Sequence, residues 1–297
     1  MFEAIQGVVG DPTVYVNGQY VPLSQASISV LDRGFIFGDG IYEVVPLYQG
    51  HTFRMKEHLD RLDRSLAKLE ITPPMTREQW LALIAQLVDK QPAQDCAMVY
   101  IQITRGVAKR DHAFPNPPVT PTVFAMVAPM ARPSETLRTH GLTAISIPDE
   151  RWLHCDIKAV SLLGNVLAKQ AAVKAGVDEV IQFRDGYLTE GASCNVWVVK
   201  DHTVYAPPKD NLVLEGIRYG LFEQLCQDNG INLALEPVTA ARVHDADELM
   251  VSSATREVLP VVQLDGKAVG TGSPGPVYRQ LRQAYDRRIE ALGQSNE

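Results

Sequence analysis

Lys158 is the residue around which the possible chemistry of this chain is organised. It lies between an aromatic segment that begins at Arg151 and Trp152 and a stretch, residues 161–175, whose apolar positions recur at roughly helical spacing. A lysine just before a helix can lie at the mouth of a site and be partly removed from water. Its pKa is then depressed, and its amine can form a Schiff base with a carbonyl compound. The alternative is an ordinary loop lysine whose stem packs on Trp152.

Four other segments supply groups that such a lysine would need. EHLDRL (57–62) carries an arginine, LTEGASCNV (188–196) carries a carboxylate among small residues, LEGIR (214–218) opens a predicted helix, and VSSATREV (251–258) is a second loop of small residues. A lysine, a carboxylate, an arginine and two loops that can offer backbone N–H groups are together what a protein needs to hold pyridoxal 5′-phosphate (PLP).

These segments resemble the class IV (branched-chain-type, fold-type IV) aminotransferases, and in most detail the D-amino-acid transaminases. The resemblance runs from about Val14 to about Leu281. It implies an α+β chain of two domains, an N-terminal α/β sandwich and a C-terminal pseudo-barrel. We expect the sandwich over residues 1–128 and a linker over residues 129–134, where two prolines stand without periodicity. The pseudo-barrel, carrying the lysine, is then expected over residues 135–297.

The resemblance also implies the cofactor contacts. Lys158 is the expected catalytic residue and cofactor attachment point, and Glu190 the carboxylate that keeps a proton on the pyridine nitrogen. The remaining expected cofactor-binding residues are Arg61, Gly216, Ile217, Arg218, Ser253 and Ala254. Arg218 and Ala254 depart from the family pattern, which usually has threonines there, and Arg256 stands where a small residue is usual.

Substrate binding is expected from Tyr42, Val44, Arg110, His112 and Thr255. In D-amino-acid transaminases, a tyrosine and an R-x-H loop trap the α-carboxylate, and the loop comes from the neighbouring subunit. Arg110 and His112 match that loop, so the resemblance implies an obligate homodimer. Leu163 stands where branched-chain enzymes place a tyrosine, which argues against that subgroup.

Composition excludes several other classes. With a net charge of −7, the chain lacks the excess of positive charge with which proteins bind the phosphates of nucleic acids. No apolar run reaches the roughly 18 residues of a membrane span, and the start of the chain lacks the features of an export signal. The seven histidines show no metal-ligand spacing, and four scattered cysteines are typical of reduced thiols in a cytoplasmic protein.

Several local elements are also predicted. Asn17-Gly18 and Asp185-Gly186 indicate hairpin turns, and Thr76 with Gln79 indicates a capping box. Helices are expected over residues 56–69, 161–175 and 217–229 and from about residue 276 onward. In the second of these, the helical spacing of Leu163, Val166, Leu167 and Val173 predicts an amphipathic helix.

The sequence thus predicts a D-amino-acid:2-oxoacid aminotransferase acting on small-molecule amino acids and 2-oxoacids. Three alternatives stay open: an aminodeoxychorismate lyase, a transaminase for L-branched-chain amino acids or (R)-amines, and a PLP-binding module without turnover.

Overall fold

The structure is a computed structural model that describes residues 7–92 and 94–292. These residues form two compact units. The first contains the described residues up to Ala131 together with Ile157–Ser161, and the second contains Arg132–Asp156 and the described residues from Leu162 onward. The boundary between Ala131 and Arg132 lies within residues 129–134, where the sequence predicts a linker.

The first unit is built on a six-stranded antiparallel sheet of order β2-β1-β6-β5-β3-β4. The strands are β1 (Thr13–Val16), β2 (Gln19–Pro22), β3 (Gly40–Tyr48), β4 (His51–Thr52), β5 (Cys96–Thr104) and β6 (Thr122–Pro129). Alternation along the strands gives the sheet two faces. Ile41, Val99 and Ile101 are buried in the core, while Tyr42 and Val44 on the other face are only half-buried.

The described residues of the first unit form four helices, of which the two long ones cover the apolar face of the sheet. They are a short 3-10 helix (Leu23–Gln25), α1 (Arg33–Phe37), α2 (Met55–Lys68) and α3 (Arg77–Asp89). Leu59, Leu62 and Leu66 of α2 pack in this core, as their spacing predicts. The predicted Asn-Gly hairpin and the capping box at Thr76 are confirmed.

The second unit contains a nine-stranded mixed sheet, with β12-β11-β10-β13-β14-β7-β8-β9 in order and β15 paired to β14. The strands are β7 (Leu142–Pro148), β8 (Glu179–Arg184), β9 (Tyr187–Gly191), β10 (Asn195–Lys200), β11 (Thr203–Ala206), β12 (Asn232–Leu235), β13 (Glu248–Ser253), β14 (Glu257–Leu264) and β15 (Lys267–Ala268). The helices are α4 (Glu135–His140), α5 (Leu163–Ala175), α6 (Ile217–Asp228), α7 (Ala240–His244) and α8 (Pro276–Glu290). The predicted Asp-Gly hairpin between β8 and β9 is confirmed.

Helix α5 forms as predicted, but its large apolar residues do not enter the core of the chain. Leu163, Val166, Leu167 and Val173 are 59–71% exposed, and the residues that α5 buries are Ala168 and Ala172. The small alanines let α5 approach β8 closely, where they pack with Val180 and Ala192. The larger side chains are therefore left on the outer face.

The segment Ile157–Ser161, which carries Lys158, packs with the first unit, whereas the sequence prediction places it in the second domain. The reason is backbone pairing with β3. The Tyr42 N–H donates to the Lys158 carbonyl at 3.0 Å, and the Val160 N–H donates to the Gly40 carbonyl at 3.0 Å. Within the described residues, no helix is both long and apolar enough to cross a membrane.

Candidate active site

Lys158 is held by its backbone while its amine projects onto an aromatic ring. Besides the bond from Tyr42, the Lys158 N–H donates to Ser65 Oγ at 3.4 Å. The ammonium Nζ lies 4.0 Å from the centroid of the Tyr42 ring. The side chain is half-buried, so the lysine is fixed at its base and reachable at its tip. Such a position suits an amine that must react.

The half-buried face of β3 and β5, next to this amine, carries two aromatic side chains, Tyr42 and Tyr100. Tyr42 and Val44 are paired in register with Gln102 and Tyr100, and the Tyr42 and Tyr100 ring centroids are 5.9 Å apart. The Tyr100 hydroxyl donates to Gln102 Oε1 at 2.8 Å, and burial raises the pKa of Tyr100 to about 12. At neutral pH Tyr100 is therefore a hydrogen-bond donor and not a charge.

Arg61 is buried on α2 and paired with Glu43 of β3. Its Nε donates to Glu43 Oε1 at 2.7 Å and a terminal nitrogen donates to Oε2 at 2.8 Å, while His58 Nδ1 lies 2.8 Å from Oε2. Burial disfavours the Glu43 carboxylate, but Arg61 and His58 outweigh it and hold the Glu43 pKa well below its usual range. The guanidinium thus has a fixed orientation set by a bidentate pair.

Arg110 and His112 are exposed and lie on a loop that packs against α1. The guanidinium carbon of Arg110 is 5.3 Å from the centroid of the Phe37 ring, and the His112 ring centroid is 5.4 Å from it. Both side chains therefore pack on the same aromatic residue, Phe37.

Glu190, at the end of β9, is a buried carboxylate in a polar network of the second unit. Asn195 Nδ2 donates to its Oε1 at 2.8 Å, and Arg151 donates to its Oε2. Arg151 is itself paired with both oxygens of Asp149, at 2.9 Å and 2.8 Å. Burial raises the pKa of Glu190, and the Arg151 guanidinium opposes that shift by favouring the carboxylate.

Asn195 links Glu190 to the start of α6. Its Nδ2 also donates to the Leu214 carbonyl at 2.9 Å, and its Oδ1 occupies the space that a Cβ on residue 216 would need. Gly216 is therefore required by the close approach of Asn195. It is the N-cap residue of α6, and no side chain of the described residues caps that end of the helix.

The second loop of small residues is tied to the same helix. Arg218, 1% exposed, donates from a terminal nitrogen to the Ala254 carbonyl at 3.1 Å, and its guanidinium carbon lies 5.5 Å from the Tyr285 ring centroid. Ser253, at the end of β13, and Ala254 and Thr255, in the turn that follows, are half-buried, and Ser253 Oγ accepts from the Arg256 N–H at 3.1 Å. Arg218, which replaces a usual threonine, thus joins the two loops.

Arg256 has a separate partner in this unit. One of its terminal nitrogens lies 2.6 Å from Glu179 Oε2, and Glu179 Oε1 accepts from the Ala192 N–H at 3.0 Å. Ala192 follows Glu190 by two residues, so this ion pair stabilises the backbone just after β9.

Sequence reasoning missed Arg151, Asn195 and Asp149 as parts of the site. The signal that was available is their spacing: Asp149 and Arg151 are two residues apart, and Asn195 opens the strand after Glu190. Among the described residues, no group of three or more histidine, cysteine or acidic side chains is arranged to hold a metal ion.

Comparison with known proteins identifies the family. The sequence pattern of class IV aminotransferases matches residues 40–264. The chain belongs to the class IV aminotransferase family. A D-alanine aminotransferase of Staphylococcus haemolyticus is 41% identical over 278 residues, covering 94% of this chain and 98% of the relative.

Solved structures of class IV aminotransferases share the fold. The branched-chain amino acid aminotransferase of Escherichia coli superposes with a TM-score of 0.88 at 23% identity, covering 94% of both chains. The branched-chain aminotransferase of the archaeon Thermoproteus uzoniensis, solved with norvaline, gives a TM-score of 0.86 at 22% identity, covering 96% of this chain and 97% of the other. The predicted fold, an α+β chain of fold-type IV with an N-terminal sandwich and a C-terminal pseudo-barrel, is confirmed.

As a class IV aminotransferase, the enzyme uses PLP, and the residues present fit this cofactor. The second unit offers the buried Glu190 carboxylate, which is hydrogen-bonded at both oxygens. It also offers the start of α6, which no side chain of the described residues caps and which suits a phosphate; Asn195 links the two through its hydrogen bonds to Glu190 and to the Leu214 carbonyl. The first unit offers a half-buried lysine fixed at its backbone.

Proposed function

We propose that this enzyme is a D-amino-acid:2-oxoacid aminotransferase that alternates between the PLP and pyridoxamine forms. The observation that carries the proposal is the 41% identity with a D-alanine aminotransferase, which extends over 94% of the chain. The exposed Arg110 and His112 support it, because they offer donors suited to a carboxylate.

The residues of the first unit take the reacting roles. Lys158 Nζ would hold the cofactor and would move the proton at the substrate Cα. Arg61, oriented by Glu43, is proposed to contribute to phosphate binding. Tyr42, whose ring lies next to the Lys158 amine, and Val44, on the same face of β3, are proposed to contact substrate. Arg110 and His112 are proposed to bind the α-carboxylate.

The residues of the second unit hold and tune the cofactor. Glu190 would keep a proton on the pyridine nitrogen and so strengthen the electron-sink chemistry that PLP would supply when bound. Gly216, Ile217, Arg218, Ser253 and Ala254 are proposed to bind the phosphate, and Thr255 to contact substrate.

We also propose that the enzyme is a homodimer to which each subunit contributes an Arg110–His112 loop. The exposed apolar face of α5, which carries Leu163, Val166 and Leu167, supports dimerisation, and Trp152 and Leu153 of the same unit are exposed as well. Leu167→Glu should then shift sedimentation from dimer to monomer. Leu81→Glu, which changes a 51% exposed leucine of α3, is the matched control and should leave the dimer intact.

A cytoplasmic location is proposed as well. Cys155, Cys194 and Cys226 are buried thiols and not disulfides, which is the state that a reducing compartment maintains.

The activity is tested by incubating the enzyme with D-alanine and 2-oxoglutarate and following pyruvate. The proposal predicts equimolar pyruvate and glutamate, with glutamate of the D configuration. L-glutamate, or turnover only with L-branched substrates, would instead favour the L-specific alternative. Pyruvate released from aminodeoxychorismate without an amino acceptor would favour the lyase.

A further inference from the structure

A buried arginine, Arg33, binds the backbone of the loop that carries Arg110 and His112. From α1, one of its terminal nitrogens donates to the Asp111 carbonyl at 2.6 Å and to the Ala113 carbonyl at 3.3 Å. The other donates to the His112 carbonyl at 3.4 Å. One guanidinium therefore engages three successive carbonyls of an exposed loop while being 3% exposed itself.

Arg33 is fixed in turn by the carboxylate of Asp39, whose side chain is 11% exposed. Its Nε donates to Asp39 Oδ2 at 2.8 Å, and Asp39 also accepts from Arg105 at 2.8 Å and 3.0 Å. Arg105 continues to the same loop, because its guanidinium carbon lies 3.5 Å from the ring centroid of Phe114. Asp39 thus accepts hydrogen bonds from two arginines, Arg33 and Arg105, and both of them contact the loop.

This arrangement determines how the backbone and the side chains of the loop are oriented. The carbonyl groups of residues 111–113 point inward to Arg33, and Arg110 and His112 pack around Phe37, which itself lies 4.9 Å from the Arg33 guanidinium carbon. An exposed loop without such anchors samples many conformations. Ordering of the backbone therefore fixes the direction of the two side chains that it carries.

We propose that Arg33 is a positioning residue for substrate carboxylate recognition, because it locks the Arg110–His112 loop in its binding conformation. This inference rests on the proposed function, in which that loop traps the α-carboxylate. Lysine cannot replace Arg33, since an ammonium has neither the planar fork nor the number of donors to serve Asp39 and three carbonyls together.

The test compares three variants of the cofactor-loaded enzyme. Arg33→Lys keeps the charge next to Asp39 and removes the fork. Arg282→Lys is the matched control, since Arg282 is a buried arginine of the second unit whose partners are Glu257, Asp286 and the Tyr285 ring and not the loop of residues 110–113. Arg110→Ala removes the proposed carboxylate donor itself. KM and kcat for D-alanine are measured for each, with tryptic cleavage at Lys109 and Arg110 under native conditions.

Arg33→Lys should raise the KM for D-alanine roughly tenfold and change kcat less than about threefold, because the loop is misplaced and the reacting groups are not. Cleavage at Lys109 should become faster. Arg282→Lys should lower the melting temperature without changing KM or cleavage.

Two outcomes overturn the inference in distinguishable ways. If Arg110→Ala raises KM but Arg33→Lys behaves like Arg282→Lys, then Arg33 only stabilises the fold and the trap stands. If Arg110→Ala itself leaves KM unchanged, the loop is not the trap, and both the inference and that part of the proposed function fall.

Discussion

Lys158 owes its distinctness to its surroundings and not to its type. Its backbone is bonded to β3 and its amine lies over Tyr42, whereas Lys169 donates to the Asp178 carbonyl on an exposed surface. Lys158→Ala should lower kcat by at least about 10³-fold, because it removes both the attachment point and the proton carrier. Borohydride reduction followed by peptide mass spectrometry should find the cofactor on Lys158 in the wild type. Label on Lys169, or loss of labelling in Lys169→Ala, would contradict the assignment.

Glu190 is buried with its two oxygens held by Arg151 and Asn195, so the direction of its carboxyl group is set by the protein. Glu190→Gln should retain PLP and lose on the order of 10²-fold in kcat, because a neutral amide no longer favours the pyridinium form. The absorption spectrum of the loaded enzyme should change as well. Glu248→Gln is the control, as Glu248 is a buried carboxylate bonded to the start of α8. Equal turnover in Glu190→Gln and wild type would make Glu190 a structural residue only.

The sequence predicts the role of a single residue where that residue stands in a recognisable motif. Lys158 and Glu190 stand in recognisable segments, and both lie in settings that suit their expected roles. Arg151 and Asn195 were missed because their importance depends on contacts across 39 and 5 positions of sequence, which appear only when strands pair. Arg33 was missed for the same reason, since its loop partners are about 80 residues away.

The start of α6 shows how one element is shaped by its neighbour. Gly216→Ala would push a Cβ into Asn195 Oδ1, and the resulting displacement should cost about 1–3 kcal/mol of PLP binding. The measurement is the PLP dissociation constant of the apoenzyme. Gly230→Ala, at the other end of the same helix with a φ of +65°, is the control and should lower stability while leaving PLP affinity unchanged. Equal PLP affinity in Gly216→Ala and wild type would rule out this helix end as part of the cofactor site.

Periodicity predicted the helices well and the buried face of α5 poorly. Leucines at helical spacing indicate an apolar face but do not say what covers it. In α2 the leucines enter the core of the first unit, whereas in α5 two alanines make the internal contact and the large residues stay outside. A sequence alone does not distinguish a face that packs within its own chain from one that is left for another chain.

Stability of the complete chain should respond to acid through Asp149. Burial alone would raise the pKa of Asp149, but its hydrogen bonds with Arg151 outweigh burial and lower the pKa from 3.8 to about 2. A lowered pKa stabilises the folded state above the unfolded value, and this contribution is lost as pH falls toward the folded one. Denaturant unfolding should therefore show Asp149→Asn less stable than wild type at pH 7, with the difference shrinking between about pH 4 and pH 2. A constant difference over that range would contradict the assignment.

The central claim is a handed reaction at Lys158, and a single-turnover experiment tests it most directly. Wild-type enzyme in the PLP form is mixed with D-alanine, L-alanine or L-leucine at equal concentration, and conversion to the pyridoxamine form is followed by absorbance. The account predicts conversion at least about 100-fold faster with D-alanine than with either L-amino acid, because the carboxylate donors fix which substituent at Cα faces Lys158. Faster conversion with L-leucine than with D-alanine would contradict the D-amino-acid assignment and leave only membership of the class IV aminotransferases.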